Sequence, residues 1–244
     1  MTPWSTKWKL DKLQQLNQEW YKCTKCQLCK KRHKVVFGEG NPNANLLFVG
    51  EAPGETEDKE GVPFIGKSGQ ILRAMWTAAS QKWESIYITN LVCCRPPGNR
   101  NPTSLEKNAC FARLQEQIYI VDPLLVVAVG REALQFLAGG RALAIEEKHG
   151  RLLSPGVAIG GCVFPRTGDD HKTWNLTYDM VPIYHPAFIL RKDSYNPETD
   201  TFEHGGIAEQ TYDDLGRILT RVKLIKEAFE KVNPSISRKR ECQK

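Results

Sequence analysis

Residues 45–54 read NLLFVGEAPG. A short apolar run that stops at glycine and passes into a charged, proline-containing turn has the pattern of a buried strand ending at a loop. Three further runs share that character: residues 85–91 (SIYITNL), 124–130 (LLVVAVG) and 180–184 (MVPIY). Pro182 has no N–H to give to a ladder, so the last run is the expected edge strand. Helical patterns fall between the runs, at residues 68–80, 104–121 and 131–137. Ser104 reads as the N-cap of the second, with Lys107 where a capping-box Glu would stand. Strands alternating with helices imply an α/β fold whose parallel sheet is mostly buried and joined by right-handed crossovers.

The flanks add little to that sheet. Trp8, Leu10, Leu13, Leu16 and Trp20 recur at helical intervals and predict an amphipathic opening helix. Residues 138–179 are rich in glycine and charge, the pattern of an irregular excursion or small hairpin within the same domain. A last helix is expected over 208–232, followed by a basic flexible tail at 233–244. At 244 residues the chain suits one domain, 1–232, with one core.

Composition narrows the function classes. The 41% hydrophobic and 25% charged content is that of a globular protein, and no stretch approaches the roughly 18 apolar residues of a membrane span. The start lacks the apolar core of a signal peptide, so a cytoplasmic protein is expected. The excess of 34 Lys+Arg over 28 Asp+Glu suits a polyanionic partner without establishing one. Eight cysteines in a reducing compartment point to metal or redox chemistry rather than disulfides. Cys23, Cys26 and Cys29 form two overlapping C-x2-C steps, and Cys93, Cys94 and Cys110 follow far downstream. A zinc ribbon would want a second C-x2-C or a His pair, so an iron–sulfur site drawing on both groups is preferred. Ligands in parallel sheets sit beyond the carboxyl ends of the strands. Glu51, Asn90, Gly130-Arg131 and His185 occupy those four ends and are expected to converge.

The ordered set Cys-x2-Cys-x-Leu, VVFGEGNPNANLLFVGEAPG, ED-x2-G-x-PF-x-G, TNLVCCRPPGNRNP, Cys110, VVAVGREA and YHPAFILR resembles the family 4 uracil-DNA glycosylases, the iron–sulfur branch of their superfamily. The resemblance covers about residues 23–191 and implies three layers, with a central four-stranded parallel sheet between helices. It also implies a [4Fe-4S] cluster on Cys23, Cys26, Cys94 and Cys110, tying the N-terminal helix to the loop after the second strand. Cys29, Cys93, Cys162 and Cys242 are then free, Cys93 standing where the family often has Lys.

The activity implied is monofunctional: a monomer flips uracil out of DNA, hydrolyses its N-glycosidic bond and leaves an abasic site. Phe64 would stack on the flipped ring, with Ala52 and Glu57 beside it. Asn90 offers one acceptor and one donor, matching N3–H and O4 of uracil. Bond cleavage leaves negative charge on the base, so His185 is the expected donor to its O2, and Glu51 would position water or offset the cationic sugar. The PAFILR segment resembles the family's intercalation loop, with Ile189 or Leu190 as wedge and Arg191 on a phosphate. Lys67, Arg95 and Arg100 are further phosphate contacts, and Gly50, Gly54, Gly61, Gly66 and Gly69 would let backbone N–H groups approach the DNA. Two alternatives stay open: a relative excising hypoxanthine or a modified phage pyrimidine, its pocket remade by residues 139–179 and 192–206, or a non-catalytic iron–sulfur DNA-binding module.

Overall fold

The computed structural model describes residues 4–163, 173–192, 195–196, 201–202 and 206–232. Its elements run in the order α1 (Thr6–Tyr21), β1 (Glu39–Gly40), β2 (Leu46–Gly50), α2 (Glu55–Glu60), α3 (Lys67–Ala78), β3 (Tyr87–Asn90), α4 (Ser104–Val121) and β4 (Leu125–Val129). There follow α5 (Arg131–Leu137), α6 (Ile145–Lys148), β5 (Leu153–Val163), β6 (Thr173–Ile183), α7 (Pro186–Lys192), the short pair β7 (Tyr195–Asn196) and β8 (Thr201–Phe202), and α8 (Ile207–Val232). The expected tail at 233–244 and Cys242 lie outside the described residues.

The main sheet has the order β1-β3-β2-β4-β6-β5. Its centre, β3-β2-β4-β6, is the expected parallel four-stranded unit, and antiparallel β1 and β5 widen it to six. Successive residues of β2 show why both faces are covered. Leu47 and Val49 join one core cluster with Leu13, Leu16 and Trp20 of α1 and Leu114 and Ile118 of α4. Leu46 and Phe48 join the other, with Leu72 and Trp76 of α3, Ile189 of α7 and Leu215 and Ile218 of α8. That period of two places one helical layer on each side of the sheet. The register pairs Gly50 with Asn90, Val49 with Ala128 and Val129 with Ile183, so the carboxyl ends of all four parallel strands stop at one level.

Three expectations are corrected. The strand holding Pro182 is interior, because the excursion before it supplies β5 as an antiparallel partner. Proline is tolerated there because the ladder with β5 begins only at Leu153↔Met180, while Gly150 N–H donates to the Pro182 carbonyl at 2.8 Å. A strand residue's N–H and C=O point the same way, so the missing donor falls beyond the end of β5. The N-cap of α4 is Thr103, one residue early. Its hydroxyl accepts from Glu106 N–H at 3.2 Å and the Glu106 carboxylate accepts from Thr103 N–H at 2.8 Å, a complete capping box. Two helices carried no apolar periodicity to reveal them: α2 is the charged ETEDKE, and α7 is the segment expected as a loop.

The cap and the core set two stability expectations. Thr103→Ala should cost about 1 kcal/mol and Phe48→Ala about 3–5 kcal/mol, both read from urea unfolding. Equal losses would mean that the inaccessible Phe48, edge-on to Trp76 at 5.4 Å, contributes no more than a cap.

Candidate active site

The aligned strand ends open into a cleft of about 570 Å³ lined by Glu51, Ala52, Glu57, Phe64, Asn90 and His185, among others. Two glycines shape it. A Cβ on Gly50, at the end of β2, would lie 2.4 Å from both Asn90 Oδ1 and Phe64 Cζ. A Cβ on Gly130, after β4 with φ +92°, would lie 2.8 Å from His185 Cβ. The carboxamide therefore leans over one strand end and the imidazole over the next, and neighbouring strands are about 4.8 Å apart. That spacing is on the scale of a single pyrimidine ring.

Asn90 is 2% exposed, and no protein group among the described residues bonds its carboxamide. An Asn side chain so placed faces the cleft with its acceptor and donors unused. His185 shows the opposite arrangement. Its Nδ1 accepts from Ala187 N–H at 3.1 Å, which places the ring proton on Nε2. Burial, with the nearby Arg191 charge, lowers its pKa to about 4, so the ring is neutral at physiological pH. Packed atoms surround most of the imidazole while one edge faces the cleft.

Phe64 has the left-handed φ of 54° inside GVPFIG, a strained conformation for a bulky residue. Three contacts hold it. Arg73 Nε donates to its carbonyl at 3.0 Å, and Gly69 of α3 leaves no room for a Cβ, which would meet the Phe64 carbonyl at 2.1 Å. Glu57 accepts from Gly54, Ile65 and Gly66 N–H at 3.1, 3.0 and 2.7 Å. The sequence suggested Glu57 as a contact to the base, yet both its oxygens are committed to the backbone on either side of Phe64, so it braces that segment. Gly50, Gly54, Gly66 and Gly69 likewise make room for protein neighbours.

Glu51 follows β2 without a bonded partner for its carboxylate among the described residues. Burial, and then the Glu132 carboxylate, raise its pKa to about 7 against the pull of Lys107 and Arg131. Glu132 is itself held by Lys107 Nζ at 2.8 Å and Asn101 Nδ2 at 3.3 Å. The far wall is aromatic: Tyr184 packs on His149 at 4.5 Å and Phe188 at 5.8 Å, with His149 Nδ1 2.7 Å from the buried Asp214 carboxylate.

Of the two expected wedges, Ile189 is corrected: it is 0% exposed in the core beneath α7. Leu190 is 43% exposed, and Arg191 is exposed at the cleft rim. Lys67 is exposed at the first turn of α3. Arg100 bonds Glu106 through both terminal nitrogens at 2.8 and 2.7 Å, and Arg95 bonds Asn99 at 2.7 Å and Glu55 at 3.3 Å. Both arginines are tied to carboxylates, not free as the sequence suggested.

The cysteines converge at a second place. Cys23, Cys26, Cys29, Cys93, Cys94 and Cys110 surround one small cavity beside Trp20 and Arg32. Lys25 N–H donates to Cys23 Sγ at 3.5 Å, and Arg32 Nη1 donates to Cys94 Sγ at 3.4 Å and to the Cys23 carbonyl at 2.6 Å. Arg32 thus links the N-terminal cysteine loop to the segment after β3. No three His, Cys, Asp or Glu among the described residues are placed to hold one metal ion.

A model of the uracil DNA glycosylase superfamily matches residues 37–204. The type-4 uracil-DNA glycosylase of Thermotoga maritima is 39% identical over 173 residues, spanning 71% of this chain and 80% of the relative. Those of Saccharolobus solfataricus and Archaeoglobus fulgidus are 38% and 33% identical, each over 192 residues, covering 77% and 79% of this chain and 80% and 90% of theirs. A sheet whose four parallel strands end around one polar cleft, with a cysteine-lined cavity behind it, fits those matches, and the chain belongs to the uracil DNA glycosylase superfamily, in its type-4 branch.

Proposed function

We propose that the protein is a monofunctional uracil-DNA glycosylase and that the cleft takes one extruded uracil. The observation that carries this reading is the pair of unpartnered groups facing the cleft: the Asn90 carboxamide and the Nε2–H of a neutral His185. Asn90 accepts from N3–H and donates to O4, the donor and acceptor that uracil presents on that edge. Phe64 stacks on the ring, and Ala52, small beside it, leaves the base edge room. Extrusion costs a few kcal/mol, offset by stacking and by Leu190 filling the vacated space.

As C1′–N1 breaks, the electron pair leaves with the base and charge gathers on O2. His185 Nε2–H donates to that oxygen. The ring keeps its proton throughout, since an imidazole with a pKa near 4 has already lost the acidic one. Water adds to C1′ of the cationic sugar and gives up a proton, which neutralises the departed uracil anion. Glu51, as carboxylate, offsets the sugar's charge and orients that water. Arg191 at the cleft's rim and Lys67 at the first turn of α3 are exposed cations for DNA phosphates, and Arg95 and Arg100 would have to exchange a carboxylate for phosphate.

Cys23, Cys26, Cys94 and Cys110 are the residues that would hold a [4Fe-4S] cluster. The donor chemistry fits: thiols from three chain segments surround one small cavity, with N–H donors on two sulfurs. Such a cluster supplies a covalent tie between the N-terminal segment and the loop behind Asn90. Function in the cytoplasm and as a monomer complete this reading.

Base release from U:G, U:A and hypoxanthine oligonucleotides, scored by alkali cleavage, tests it: uracil substrates should be cut, and product from hypoxanthine alone would reject uracil as the substrate. His185→Ala should lower kcat about 10²–10³-fold, the usual loss for one donor to a developing oxyanion. The Glu51 carboxyl must be ionised to act, so single-turnover rates should rise as pH passes through about 7. Glu51→Gln should flatten that limb, and an unchanged limb in this variant would assign it to another group.

A further inference from the structure

Beneath Asn90 lies a positive charge with no carboxylate on it. Arg113 of α4 is wholly inaccessible. Its Nη2 donates to the carbonyls of Asn90 at 2.6 Å and Leu91 at 3.1 Å. Its Nη1 donates to Thr89 Oγ1 at 2.8 Å, to Gln117 Oε1 and to the Phe37 carbonyl at 3.4 Å, while its Nε has no partner. Every acceptor is neutral. Withdrawing a guanidinium from water costs several kcal/mol unless an opposite charge stands near it.

The ionisable groups beside Arg113 are the Tyr87 phenol, which burial keeps protonated, and the thiols of the cysteine centre. Cys110 lies three residues earlier on α4, a spacing that places the two on one helix face. Cys93 and Cys94 come two and three residues after Leu91, whose carbonyl the guanidinium grips. A cluster carried by four thiolates has net negative charge, which balances a buried cation.

We propose that Arg113 is a positioning residue coupling the cysteine centre to the base pocket. One face of its fork fixes the Asn90–Leu91 backbone, and with it the carboxamide that reads the base. Its charge is balanced by the anionic cysteine centre and not by a protein carboxylate. This inference rests on the uracil and [4Fe-4S] readings above. A lysine in its place keeps the charge but cannot hold two carbonyls in a planar fork, and a methionine keeps neither.

The test compares intact, cluster-loaded protein with Arg113→Lys, Arg113→Met and Asn90→Ala. It reads kcat and KM on a uracil oligonucleotide, iron content, and the cluster's midpoint potential by EPR-monitored titration. Arg113→Lys should lose about 10- to 100-fold in kcat with a smaller change in KM, as expected for a misplaced reading group, and keep its potential. Arg113→Met should show the same kcat loss, a more negative potential, because a cation near the cluster favours the reduced form, and less iron. Full kcat in both variants, or an unmoved potential in Arg113→Met, overturns the proposal. Full activity in Asn90→Ala would instead sink the reading of the pocket itself. Should Arg113→Met not fold, uracil titrated into the unaltered protein decides. Coupling requires the bound base to shift the cluster potential, and an unmoved potential at saturating uracil contradicts it.

Discussion

The site exists because two strand ends carry no side chain. Gly50 and Gly130 close adjacent parallel strands, and a single methyl on either would occupy space held by Asn90 and Phe64, or by His185. The sheet register brings Asn90 level with Gly50, and the turn after β6 brings His185 over Gly130. Selectivity and leaving-group stabilisation therefore depend on backbone spacing, which a packed sheet holds to a few tenths of an ångström. Side chains on loops alone would not be held so tightly.

Strain and charge concentrate around that opening, and each is compensated locally. Phe64 sits at a backbone angle unfavourable to aromatics, and three N–H bonds to Glu57 with one donor from Arg73 keep it there. Burial and the Glu132 carboxylate raise the electrostatic cost of the Glu51 charge, and Lys107 with Arg131 limits it. His185 keeps a neutral ring through burial beside the Arg191 charge, and its tautomer is set by a backbone N–H two residues on, a contact made possible by the tight turn at Pro186. The ordinary stability of the fold is found elsewhere, in the two apolar layers.

Most of the scaffold was legible because its signals are local. Three of the four central strands are short apolar runs closed by turn residues, and the fourth ends in one; α4 and α5 span the residues that periodicity places in them, although Thr103 and not Ser104 caps α4. Glu51, Asn90 and His185 could be placed at one site because topology alone requires parallel strand ends to converge. What escaped depended on partners far along the chain. Pro182 looked like an edge until a hairpin arm before it supplied a neighbour. Glu57 was expected beside the base and Arg100 on a phosphate, and only the fold shows their bonds within the protein. Nothing in the sequence separates Ile189 from Leu190, whose exposures differ through helical phase. Nothing in the sequence singles out Arg113, and its burial under Asn90 follows only from how α4 faces β3.

The account stands or falls on a neutral imidazole presenting Nε2–H to the departing base. Nitrogen-15 NMR of histidine-labelled protein, titrated from pH 8 to pH 5 with His185→Gln as the assignment control, measures this directly. The expected His185 signals are those of the Nε2–H tautomer, without titration over that range. A ring protonating near pH 6.5, or one carrying its proton on Nδ1, would contradict it.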